Sequence, residues 1–94
     1  MTEDLTTPRA WRQAITSLVT DLGSSLKPGQ VEEIMSALGA GEWTLSLEFL
    51  MDYIIDDQII ISSAIFARLE ALTQVLHPRD GIAFIKELVL DLDE

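Results

Sequence analysis

The chain has 94 residues, 48% of them hydrophobic, which is enough for one core and too few for two independently stable domains. We therefore expect a single domain over residues 1–94. Sixteen Asp and Glu against six Lys and Arg give a net charge of -10, which disfavours nucleic acid and anionic membranes and favours a basic protein partner. The absence of cysteine excludes disulfides and thiolate metal sites.

The residue inventory also disfavours catalysis and export. His77 is the only histidine, and 56–58 (DDQ) lacks the alternating oxygen ligands of a calcium loop, so we predict no enzyme activity, no cofactor and no metal site. The acidic start differs from a secretory signal, and no apolar stretch reaches the roughly 20 residues that span a bilayer. We expect a cytoplasmic protein.

The first two helices are marked by their boundaries. Thr7 and Pro8 form a typical N-cap and first turn, and the helix that begins there ends where 23–25 (GSS) interrupts the apolar period. The second helix begins at 27–29 (KPG) and ends at 39–41 (GAG).

A third helix, the most hydrophobic, runs from Glu42 to 56–57 (DD), and we expect it at the centre of the bundle. Residues 58–61 (QIII) are β-prone, but the sequence offers no second strand. We therefore predict a buried connection that leads into 62–63 (SS), a typical N-cap for a fourth helix.

The fourth helix is expected to end near His77, because Pro78 disfavours helical geometry in the residue before it. Pro78 can begin a fifth helix, which we expect to run almost to the C-terminus despite Gly81. Its core stripe consists of Ile82, Ile85, Val89 and Leu92. The predicted fold class is all-α, a compact single-domain bundle of about five helices.

Acidic and aromatic residues share one side of the predicted third helix. Glu48, Asp52 and Asp56 follow one another at i, i+4 spacing, where like charges destabilise a helix by roughly 0.2–0.5 kcal/mol per pair. Asp57 adds a charge at the negative end of the helix dipole. Helix stability alone does not favour this pattern, although the core could cover the apolar residues between the acids. We predict a partner-binding face of Glu48, Asp52, Asp56, Asp57, Phe49 and Tyr53.

A second acidic edge lies at the C-terminal end, where such a charge pattern typically keeps a small protein in solution. It consists of Glu87, Asp91, Asp93 and Glu94. Trp11 and Trp43 each begin an apolar stripe, and we expect both to pack against the core.

The middle third of the chain resembles a family of small helical bacterial immunity proteins. Residues 41–50 read GEWTLSLEFL, and they are followed by 52–54 (DYI), 60–62 (IIS) and 69–72 (LEAL). This order is similar to that of the MafI-like and contact-dependent growth inhibition immunity proteins. In that group a Gly-Glu-Trp-like turn leads into a helix, an Ile-containing connection and another helix.

The resemblance implies that the chain binds and neutralises the C-terminal toxin domain of a polymorphic toxin in the cytoplasm of the producing cell. Such toxins are commonly nucleases, and a nuclease offers a basic cleft to an acidic inhibitor. The implied partner is therefore a cognate toxin domain with a basic surface. The sequence does not indicate an oligomeric state.

Two other functions fit the same composition. An acyl or peptidyl carrier is also a small acidic helical domain, and Ser46 superficially fits the serine that carries its prosthetic group. However, Leu45 stands where that family has an acid. An acidic helical adaptor in a larger complex would also use the same acidic and apolar faces.

Overall fold

The computed structural model describes residues 5–90, which form an all-helical fold. The five α-helices in that range are α1 (Pro8–Leu22), α2 (Pro28–Gly39), α3 (Trp43–Asp56), α4 (Ser63–Leu76) and α5 (Ile82–Lys86). A short 3-10 turn, Gly23–Ser25, follows α1. No helix in residues 5–90 is both long enough and apolar enough to cross a membrane.

The predicted N-caps of α1 and α4 are confirmed. The Thr7 hydroxyl accepts a hydrogen bond of 3.2 Å from the backbone N–H of Ala10. The Ser62 hydroxyl accepts one of the same length from Ile65. Because each hydroxyl satisfies a backbone N–H that has no partner inside its helix, these two residues fix where the helices begin. α1 ends at Leu22, and its C-cap Gly23 has a φ of 52°, a conformation that glycine adopts without strain.

The third helix lies at the centre of the bundle, as predicted, because α3 contacts each of the other four helices. Its Leu47, Leu50 and Ile54 are completely buried. They meet fully buried side chains from the other four helices, namely Ile15, Leu18, Ile34, Leu38, Leu69, Leu72 and Ile85. Burial of such a side chain contributes roughly 1.5–3 kcal/mol, so this single cluster provides the main stabilisation of the fold.

Both tryptophans pack against the core, as predicted. Their rings meet edge to face with centroids 6.3 Å apart, and the Trp11 indole N–H donates to the Leu5 carbonyl at 2.9 Å. The Arg12 guanidinium lies 5.8 Å from the centre of the Trp43 ring and donates to the Leu38 carbonyl at 3.2 Å. These contacts join α1 to the last turn of α2 and to the first residue of α3.

The prediction of a long fifth helix is wrong. α5 begins four residues after Pro78 and ends at Lys86, so Pro78 lies in the preceding loop. The chain then turns, and Val89 lies outside the helix. Leu92, predicted for the same stripe, lies outside the described residues.

The turn after α5 pairs the chain with the connection between α3 and α4. Ile61 donates its N–H to the Leu88 carbonyl at 3.1 Å and accepts from the Leu90 N–H at 2.9 Å, which forms a parallel bridge to Val89. The 58–61 connection is buried at Ile59 and Ile61, as predicted, while Ile60 is exposed. As expected, residues 58–61 form no strand in the described part of the chain, and the isolated bridge satisfies the polar backbone groups of the buried Ile61.

Candidate protein-binding surface

The acids predicted for the binding face lie on α3 or directly after it, and most of them have partners within the chain. Glu48 and Asp52 both pair with Arg79, which comes from the loop between α4 and α5. Asp57 accepts a hydrogen bond of 3.0 Å from the side-chain amide of Gln30. Asp56 is exposed, and within residues 5–90 it forms no ion pair.

Arg79 makes three polar contacts with the two acids. Its backbone N–H donates to Glu48 Oε2 at 2.9 Å, and its Nε lies 3.3 Å from Glu48 Oε1. Its Nη2 lies 2.9 Å from Asp52 Oδ2. The Glu48 side chain is only 16% exposed, whereas that of Arg79 is 69% exposed. The repulsion between Glu48 and Asp52 that their i, i+4 spacing predicts is therefore offset by a shared cation. The contacts of Arg79 with these two acids hold the α4–α5 loop against α3.

The two predicted aromatic anchors form a stack on the side of α3. The rings of Phe49 and Tyr53 have centroids 6.4 Å apart and an interplanar angle of 21°. Both side chains pack partly against the core and remain partly accessible. This intermediate burial gives a stiff aromatic surface, since packing on one side restricts the rings while the other side stays open.

An open groove lies between α2 and α3, with a volume of about 700 Å³. We call it the α2–α3 groove. Its α3 wall contains Leu45 and Phe49, and its opposite wall contains the small residues Ala37 of α2 and Ala40, which directly follows α2. Three acids also line it, namely Glu32, Glu33 and Glu42. No Lys or Arg lines this groove, and none of the three acids forms an ion pair with a described residue.

Three of the basic side chains are engaged at other places. Arg12 lies over Trp43, and Arg79 pairs with the two acids of α3. Arg68 contacts Asp21 at 2.7 Å and the Ser17 hydroxyl at 3.1 Å. None of these three arginines lines the groove or forms an ion pair with its acids.

The groove acids of α2 were missing from the predicted site. Glu32 and Glu33 are adjacent in the sequence, and that doublet was the available signal. The doublet becomes part of a candidate binding site only because α2 packs against α3, which places these acids beside Leu45 and Phe49. Helical periodicity within α3 alone could not show this neighbour.

Ser46, the residue on which the carrier alternative depends, is completely buried. Its hydroxyl donates to the Ile34 carbonyl at 3.2 Å, which joins α3 to α2. A modifying enzyme could not reach this oxygen without opening the helix pair. The geometry therefore argues against a carrier function.

Within residues 5–90, no three carboxylate or imidazole side chains form a group that could hold a metal ion. Comparisons with known protein families, with curated proteins and with solved structures find no match to this chain.

Proposed function

We propose that this chain is an immunity protein, which binds the toxic C-terminal domain of a bacterial toxin in the cytoplasm of the producing cell and blocks its activity. The observation that carries the proposal is a cation-free acidic groove beside an aromatic stack. The groove is lined by Glu32, Glu33 and Glu42. Phe49 also lines it and stacks on Tyr53. Aromatic anchors beside a polar rim are typical of protein-recognition surfaces.

The charge of the whole chain supports a basic partner. A net charge of -10 attracts a positive protein over several ångströms and raises the rate of productive encounter. A nuclease presents such a positive surface, because it must bind phosphates. We therefore propose a nuclease toxin, whose phosphate-binding cleft or its rim the acidic side would cover.

An adaptor in a larger complex would use the same surface. We favour the toxin partner because of the resemblance to immunity proteins that we infer from the sequence pattern of residues 41–72. The two functions differ in their effect on the partner, since an immunity protein abolishes a toxic activity and an adaptor does not.

Co-expression tests this proposal directly. The C-terminal domain of the protein encoded immediately upstream would be induced in bacteria with and without this chain. We expect growth arrest from the toxin domain alone and normal growth with the pair, which should also purify as a complex. An unrelated acidic helical protein of similar size and charge serves as the control and should not protect. Continued growth arrest in the presence of this chain, expressed as a folded protein, would contradict the proposal.

A further inference from the structure

We infer that the α2–α3 groove is the docking site of the partner, and that its occupant is a partner helix that carries Lys or Arg beside a large apolar side chain. This inference rests on the proposed function and specifies its contact surface. This contact surface differs from the face predicted from the sequence, because its acids lie on α2 and at the start of α3 instead of at Glu48 and Asp52.

Ion pairing distinguishes the groove from the Arg79 side of α3. Glu48 and Asp52 already share Arg79, so a partner cation would have to displace an existing ion pair to reach them. Glu32 and Glu33 form no ion pair with any residue between 5 and 90. A partner cation therefore gains more attraction in the groove, where no cation of this chain has to leave.

The shape of the groove indicates which kind of partner side chain binds beside the cation. Leu45 and Phe49 are one helical turn apart and stand on the same wall, so they offer an apolar strip about a turn long. On the opposite wall, Ala37 in α2 and Ala40 directly after it have small side chains, which lets another helix approach closely. Such a strip matches one apolar side chain of an amphipathic helix.

The aromatic stack adds a second contact for the cation. Phe49 lines the groove and lies against Tyr53, so its ring is held in place and does not need to be ordered on binding. An arginine that contacts Glu33 or Glu42 can also approach an aromatic face, which attracts cations. We therefore assign recognition to the groove and assign the Arg79 pair to holding the α4–α5 loop.

Nuclear magnetic resonance titration tests this assignment with a defined probe. The probe is a synthetic amphipathic helical peptide of Lys and Leu, added to the isotopically labelled full chain at low salt. A peptide with Glu in place of every Lys is its control. We expect the basic peptide to shift the amide signals of Ala37, Ala40, Leu45 and Phe49 more than those of Glu48 and Asp52. The acidic peptide should cause no such shifts.

Charge-matched variants make the test specific to the groove. Glu32→Gln with Glu33→Gln removes two groove charges, and Glu70→Gln with Glu87→Gln removes two exposed charges from α4 and from the turn after α5. We expect the groove variant to bind the peptide about tenfold more weakly and the control variant to bind within about twofold of the unaltered chain. Thermal unfolding of both variants checks that neither change disturbs the fold.

Several results would overturn the inference. Equal weakening in the two variants would show that only total charge matters. If the largest shifts occur at Glu48 and Asp52, the peptide binds at the Arg79 side of α3 and not in the groove. Shifts of the groove signals on concentrating the chain alone, or on adding Ca²⁺ alone, would show that a second copy or a cation fills the groove.

The docking site and the proposed function can fail independently of each other. If co-expression fails to protect while the peptide maps to the groove, the toxin partner is wrong and the docking site stands. If co-expression protects and the groove variant protects as fully as the control variant at limiting expression, the docking site is wrong and the immunity function stands.

Discussion

Arg79 connects two acids that otherwise repel each other. Glu48, largely shielded from solvent, accepts the backbone N–H of this residue and forms an ion pair with its Nε, while Asp52 accepts a hydrogen bond from its Nη2. Because Arg79 is mostly exposed, water and salt screen the pairs, and their contribution to stability stays modest.

Replacement of Arg79 tests how much its contacts with the two acids stabilise the fold. We expect Arg79→Ala to lower the free energy of unfolding by about 1 kcal/mol, because two neighbouring carboxylates lose their shared cation. Denaturant titration at low and high salt measures the change, which should shrink as salt increases. Arg9→Ala is the control, since Arg9 is exposed and forms no ion pair within residues 5–90. An equal loss of stability in the two variants would show that the Arg79 pair does not stabilise the fold.

A single buried hydroxyl, that of Ser46, joins α2 to α3. Ser46→Ala removes its hydrogen bond to Ile34 and should lower the free energy of unfolding by about 1 kcal/mol. Ser46→Leu should lower it by about 1–3 kcal/mol, because the packed helix pair has no room for a larger side chain. Ser36→Ala, at an exposed position on α2, should leave stability nearly unchanged. A Ser46→Leu variant as stable as the unaltered chain would contradict this packing.

At the scale of the elements, the helices with local boundary signals were predictable and the last one was not. Thr7 and Ser62 cap their helices through neighbours three residues away, so a short stretch of sequence holds the whole signal. The end of α5 depends on a pairing between Val89 and Ile61, which are far apart in the chain. The apolar period of residues 82–92 continues past Lys86 and therefore could not reveal the turn.

A proline at Leu90 tests this pairing with little disturbance of packing. Leu90 is 82% exposed, but its N–H donates to the carbonyl of the buried Ile61. Leu90→Pro should therefore lower the free energy of unfolding by about 1–3 kcal/mol, because a buried carbonyl loses its donor. Leu90→Ala keeps the N–H and should change stability by less than about 0.5 kcal/mol in denaturant titration. Similar stabilities for the two variants would mean that the bridge is unimportant.

At the scale of the whole molecule, the sequence showed how much negative charge there is and the structure shows which part of it is uncompensated. Arg79 lies 31 residues after Glu48 in the chain, so periodicity within α3 could not reveal their contact. Phe49 and Tyr53 lie together and partly accessible, an arrangement compatible with their predicted place on the face. The α2–α3 groove depends on the packing of two helices, which no motif within either helix describes.

The rate of association with the proposed toxin partner tests the central claim most directly, namely that the acids of the α2–α3 groove meet a basic partner. Stopped-flow measurement would follow the upstream-encoded toxin domain binding to the unaltered chain at roughly 0.05 and 0.5 M salt. We predict that the rate constant falls at least about tenfold at high salt, and that Glu32→Gln with Glu33→Gln lowers it at low salt more than Glu70→Gln with Glu87→Gln does. A rate that is independent of salt, or equal in the two variants, would contradict the claim.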